Sequence, residues 1–217
     1  MNLNILLGLP KTLYLNLHYF GIRRGLKLPI LVSNKTKFIK LNGKIILKEP
    51  LSHGMVRIGI GGSGTAECEY TKLELNGVHF FSDKIIIGGG SSIVTINKYS
   101  NLTIGSNCMI SGETKVISSN DISIGDDCVI SWNSQIMDTD FHSIYDENGN
   151  KQNQDEKIII SNHVWIGSRC NILKGSYIPP GSVIASGSTI TGELSDKNCI
   201  YIGLPPQIIK KKINWVR

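Results

Sequence analysis

One histidine stands in a stretch unlike the rest of its half of the chain. Residues 138–150 read DTDFHSIYDENGN, which sets His142 among Asp138, Asp140 and Asp146. An imidazole, with an ordinary pKa of about 6.5, can take up and return a proton near neutral pH, the work of a general base. A neighbouring carboxylate can hold such a ring in one tautomer through its second nitrogen. The same aspartates also suit plain turns, in which a short carboxylate accepts hydrogen bonds from the backbone just ahead of it. The choice between these roles depends on what carries the stretch.

The other reactive residue types are scattered. Cys68, Cys108, Cys128, Cys170 and Cys199 are odd in number and lack close C-x-x-C pairs, so neither a disulfide framework nor a zinc or redox site is expected. His18, His53, His79 and His163 are too dispersed for a metal cluster, and no metal is expected. GIGGSG, Gly59 to Gly64, matches the dinucleotide fingerprint letter by letter, but that motif must open a helix inside a strand–helix–strand unit. Here TAECEYTKLELNG and a second glycine-rich strand follow, so these glycines, like those of GGGSS at Gly88 to Ser92, read as corners.

The 217 residues, 41% of them apolar, suffice for one sizeable domain. The net charge of +6 favours anionic partners, and the phosphates of a small cofactor fit better than nucleic acid, for which aromatic and basic residues would interleave. Asn and Lys interrupt the apolar N-terminus before a membrane-spanning length, and no cleavage site follows, so the segment reads as retained and the protein as cytoplasmic. Its basic residues could also touch a membrane surface, but a plain cap is the reading adopted.

On both sides of the histidine stretch an aliphatic recurs every sixth residue. Ile160, Ile166, Ile172, Ile178, Ile184 and Ile190 form one run, Ile124, Ile130 and Ile136 another, and Ile104, Ile110, Val116 and Ile122 a third. Four residues after these anchors the side chain is usually small, as at Cys108, Thr114, Cys128, Ser134, Cys170 and Ser176, and glycine often follows the anchor directly. Helices and strands repeat at 3.6 and 2, not at six. A short flat strand plus a tight corner does repeat at six, and three such sides close a triangular coil with the aliphatic inside and the small residue beside the corner. Stacked coils then pair in parallel and bury one continuous core. Cys108, Cys128 and Cys170 are explained as small core residues.

The register slips by two between Ile122 and Ile124, which predicts one irregular corner. From Ile136 to Ile160 the separation is a whole number of hexads although residues 138–157 break the pattern, so His142 lies on a loop inserted without disturbing the stack. The coil is expected over residues 56–200, with 1–55 as a cap over its open strand edge and 201–217 as a tail.

The hexads, with SNHVWIGSRCNILKG and GLPPQIIKKK, resemble the hexapeptide-repeat acyltransferases over about residues 56–213. The likeness is nearest to the sugar and polysaccharide O-acetyltransferases, whose N-terminal section KTLYLNLHYFGIRRGLKLPILVS also resembles. The resemblance implies an all-β, left-handed parallel β-helix with an N-terminal cap, an inserted catalytic loop and a short C-terminal tail. It further implies a homotrimer with acetyl-CoA in a cleft between neighbouring prisms, and acetyl transfer to a sugar hydroxyl of a bacterial surface polysaccharide or its precursor.

By position His142 matches the family's catalytic histidine, the base that takes the hydroxyl's proton as it attacks the thioester. Asp140 is paired with it as the orienting carboxylate and Asp138 with acceptor hydroxyls, roles the sequence leaves interchangeable. Matching VWIGS puts an oxyanion-stabilising amide at Ser168, next to Gly167, where one donor is worth about 3 kcal/mol. IASGS puts a second cofactor-contacting amide at Ser186, one coil of eighteen residues later and stacked on the same face; Thr191 belongs to the same cofactor set. Trp165 offers an aromatic face to acceptor or cofactor, or equally packs against another subunit; Asn133 and Trp132 on the preceding coil are further acceptor candidates. Lys210 falls where the family has a cation near the cofactor's phosphates. The chain departs from the family pattern at Gly192, where lysine is usual, and at Gln207, where lysine or arginine is common, which leaves the anchoring of the phosphates open. N-acetylation of a nucleotide-linked amino sugar, serine acetylation and a non-catalytic scaffold are the rival readings. The placed histidine speaks against the scaffold, and the loop with VWIG favours a sugar over serine.

Overall fold

The computed structural model describes residues 3–60 and 70–217; Cys68 and Gly61 to Gly64 of the GIGGSG run lie outside them. The chain winds as a left-handed parallel β-helix in which each turn gives one short strand to each of three sheets. Side A runs through Ile30–Val32, Val56–Ile58, Ile85–Ile87, Met109–Ile110, Val129–Ile130, Trp165–Ile166, Val183–Ile184 and Ile200–Ile202. Side B runs through Thr36–Lys40, Thr71–Leu75, Ser92–Thr95, Lys115–Ser118, Gln135–Met137, Asn171–Leu173 and Thr189–Ile190. Side C runs through Lys44–Leu47, Val78–Phe81, Asn101–Ile104, Asp121–Ile124, Ile158–Ile160 and Tyr177–Ile178.

The hexad anchors stack in register, Ile130 on Ile166 on Ile184 and Ile136 on Ile172 on Ile190, all essentially inaccessible to water. Each such side chain contributes about 1.5–3 kcal/mol relative to exposure. The small residues do more than avoid a clash, because each donates to the carbonyl of an adjacent corner. Cys108 Sγ–H meets Gly125 O at 3.0 Å, Cys128 meets Ser161 O at 3.1 Å and Cys170 meets Ala185 O at 3.2 Å. Thr114, Ser134 and Ser176 donate likewise to Ser131, Gly167 and Ile190. Most of this buried polar row is thus satisfied between coils, the hydroxyl of Ser182 being the exception. The corners turn through left-handed backbone, at Asn107, Asp127, His163 and Gly181 between sides C and A, and at Glu113, Asn133, Arg169 and Gly187 between A and B.

Three expectations are corrected. The coil begins at Ile30, not at residue 56: Ile30–Val32 pairs in parallel with Val56–Ile58, and the next two sides pair likewise. Its first turns carry long connections, with Ile30 lying against Val56 and Val56 against Ile85, and these hide the period of six. The slip between Ile122 and Ile124 is not an irregular corner. Asp121–Ile124 is simply a longer side that points both isoleucines inward, as Asn101–Ile104 below it does with Leu102 and Ile104. Finally, Ile200–Ile202 is still wall, and Gln207–Lys210 folds back antiparallel on it, closing that edge of side A. Beyond it the chain descends the C–A corner, where Ile213 N–H donates to Asn198 O, Trp215 stacks on His163 at 4.2 Å and Arg217 donates to Asn107 O at 3.0 Å.

At the other end, helices α1 (Leu3–Leu6) and α2 (Leu9–Gly25) cover the first coil. The open edge of Ile30–Val32 is met by two buried side chains of α2. Asn16 exchanges both hydrogen bonds with Ile30, and Thr12 both with Val32, while Leu15 enters the core. This cap spans residues 3–29 rather than 1–55.

Candidate active site

Residues 138–157 leave the wall after Gln135–Met137 and return at Ile158–Ile160, projecting from the B–C corner. Polar contacts order the loop from its base to its tip. Asp138, fully buried, accepts from Ser118 Oγ at 2.9 Å, Ser119 N–H at 2.6 Å and Asn120 N–H at 3.0 Å of the coil below. Burial pushes its carboxyl up from the ordinary range, while those three donors pull the other way. Asp138 therefore staples the loop to the wall; the expected acceptor-binding role is corrected, because its oxygens are spent and out of reach.

Asp140 is placed differently from expectation as well. Its carboxylate accepts from Lys174 Nζ at 2.6 Å and Asn153 Nδ2 at 2.7 Å, which hold its pKa below the usual range, and it does not touch the imidazole. Its backbone carbonyl accepts the His142 N–H at 2.7 Å instead. The hub is Asn153, a buried residue that sequence reasoning missed. Its Nδ2 reaches both Asp140 Oδ2 and His142 O at 2.8 Å, and its Oδ1 accepts from Ile144 N–H at 2.6 Å. Lys174, also missed, ties Asp140 and Gln154 O to the next coil. Asp146 shapes the tip, collecting the amides of Asn148 and Asn150 and the side chains of Asn150 and Gln152. His142 is thus presented outward on an ordered backbone, with Phe141, Ile144 and Tyr145 exposed around it and Phe141 held at φ +61°.

The other candidates gather at a different corner. Trp132, Ser168 and Ser186 form one column at the A–B corner and Asn133, Arg169 and Gly187 the next, tied by Arg169 N–H to Trp132 O and Gly187 N–H to Ser168 O. The hydroxyls of Ser168 and Ser186 touch at 3.3 Å, so the two residues stack one coil apart. Among the described residues no carbonyl accepts from the amide of Ser168 or Ser186, which leaves two adjacent N–H donors for a ligand. Gly167 is not part of that surface. A Cβ there would come within 2.6 Å of Ser186 N, so its lack of a side chain lets the coils close. Trp165 lies on side A, half exposed, donating to Ser131 Oγ at 3.2 Å and tilted against Trp215. Thr191 follows the last side B strand, exposed but away from the A–B corner. Lys210 pairs with Ile200, which lies over Val183, at the far end of side A from Ser186. The exposed cation beside Ser168 is Arg169. Only its corner position, directly after the matched serine, could have signalled it.

Among the described residues no group of three or more His, Cys, Asp or Glu could hold a metal ion. No family model matches the chain. It is similar to the polysialic acid O-acetyltransferase of Neisseria meningitidis, 39% identical over 129 residues that cover 59% of this chain and 51% of that protein. It is also similar to the polysialic acid O-acetyltransferase of Escherichia coli O1:K1 / APEC, 30% identical over 132 residues that cover 60% of this chain and 36% of that protein. The chain thus spans about half, or less, of the length of these relatives. Among solved structures it shares its fold with the polySia specific acetyltransferase NeuO (TM-score 0.64, 24% identity, covering 87% of this chain and 79% of that one). It also matches the polysialic acid O-acetyltransferase OatWY (TM-score 0.50, 24% identity, covering 84% and 90%).

Proposed function

We propose that this chain is a hexapeptide-repeat acyltransferase that moves an acetyl group from acetyl-CoA to a sugar hydroxyl of a polysaccharide, with His142 as general base. The observation that carries the reading is the presentation of His142. An outward imidazole is mounted on a loop whose base, flank and tip are each pinned, on a coil whose sequence relatives are named as polysaccharide O-acetyltransferases.

The imidazole takes the proton of the sugar hydroxyl as its oxygen bonds to the thioester carbonyl carbon. The carbonyl oxygen becomes an oxyanion, for which the Ser168 amide is the donor, as expected by likeness to the family. The intermediate collapses, the C–S bond breaks, and the departing thiolate takes the proton from the imidazolium. Ser186 supplies a second amide along the cofactor, Arg169 the nearest cation for its phosphates, and Trp132 an aromatic face beside them.

His142 and Ser168 stand at different corners of one prism, so the reading requires a second copy whose A–B corner receives the loop. The exposed Phe141, Ile144 and Tyr145 suit such a docking, and a homotrimer is the proposed assembly. The test is acetyl-CoA consumption against a panel of polysaccharides and their precursors, with His142→Ala alongside. An acceptor should raise consumption and the variant should lose about 10²–10⁴-fold in turnover. Wild-type turnover in His142→Ala would remove the base assignment, and no response to any acceptor would remove the activity.

A further inference from the structure

The cap carries a surface that the proposed chemistry does not use. The cap holds Lys11, Arg23, Arg24 and Lys27 and no aspartate or glutamate, and the first coil adds Lys35, Lys37, Lys40, Lys44 and Lys48 before the first acid at Glu49, so the first 48 residues alone exceed the net +6 of the whole chain. Among the described residues Arg24 pairs with Glu49 and Lys40 with Glu74, while Arg23 and Lys27 lie exposed. The same segment exposes large apolar side chains. Helix α2 turns Thr12, Leu15 and Asn16 to the coil and leaves Leu13, Ile22 and, beside Phe38, Tyr14 exposed. Leu3, Leu6 and Leu7 extend this surface through α1, with Leu3 66% exposed. A helix apolar on both sides is normally covered on both.

We propose that this cap lies on an anionic lipid surface, its leucines entering the interface and its cations meeting the headgroups. No helix of the described residues is long and apolar enough to cross a membrane, so the attachment is in the plane of the surface. Charge decides among the occupants. A second copy docked cap to cap would oppose two caps that each hold Lys11, Arg23, Arg24 and Lys27 and no acid. A soluble polyanion would satisfy the cations but leave the leucines in water, whereas an anionic bilayer satisfies both.

Sedimentation with vesicles of phosphatidylcholine mixed with phosphatidylglycerol tests this, against vesicles of phosphatidylcholine alone. The full chain should bind the anionic vesicles and release as salt rises. Arg23→Gln and Lys27→Gln should each weaken binding about fivefold, and Leu3→Asp with Leu7→Asp should abolish it while acetyl transfer to a soluble acceptor persists. Absence of binding to anionic vesicles at low salt overturns the proposal. So does undiminished binding by the leucine variants, which would make the surface a site for soluble polyanions. A smaller assembly in those variants, without vesicle binding by the parent chain, would assign the surface to a second copy.

Discussion

Asn153 is the residue on which the geometry around His142 turns. One side chain joins the carbonyl of His142, the carboxylate of Asp140 and the amide of Ile144, so its removal loosens the imidazole without opening the core. Asn153→Ala should lower kcat by about 10²-fold, the cost of an ångström's misplacement, while the melting temperature stays within a few degrees of the parent. Kinetics and a thermal melt on one preparation check it. Asp138 acts oppositely. Asp138→Ala strands the amides of Ser119 and Asn120 and should cost about 2–4 kcal/mol in denaturant unfolding. His142 was legible in the sequence because an acidic stretch interrupts a regular period. The separate tasks of the aspartates were not, because they are set by partners such as Ser118 and Lys174, twenty and thirty-four residues away.

At the level of the strand and corner, the period of six was readable where turns are tight, as from Trp165 to Val183, eighteen residues apart and paired directly. It was unreadable in the first turns because their corners are longer, and a pattern that counts residues fails when the connections vary although the pairing does not. The edge covering by α2 was likewise hidden, since Thr12 and Asn16 look like unremarkable polar residues in an apolar run. Where the stack is regular its packing should be unforgiving. Ile136→Ala, between Val116 and Ile172, should cost about 2–5 kcal/mol by chemical denaturation, because neighbours in a parallel stack cannot close the gap.

Across the whole molecule, one contribution to acid sensitivity comes from a buried imidazole. His79 points into the prism where Leu102 stands one turn on; its Nδ1 lies 3.0 Å from Lys44 O, and its Nε2 lies 3.1 Å from Thr95 Oγ1. The amides of Asn76 and Gly77 already donate to that Thr95 oxygen, so the hydroxyl donates to Nε2 and Nδ1 carries the proton. Burial lowers the pKa from 6.5 to about 4. The unfolded chain therefore binds more protons between these values, and the stability from the neutral ring is complete above about 6.5 and falls as the pH drops towards 4. Unfolding free energies measured from pH 7 to 4 should show a loss of about 3 kcal/mol that His79→Leu flattens. The two α2 side chains that saturate Ile30 and Val32 bear on the size of the particle itself. A ladder with a bare bottom rung accepts another ladder, so Thr12→Val with Asn16→Leu should convert discrete particles into threads that electron microscopy would reveal.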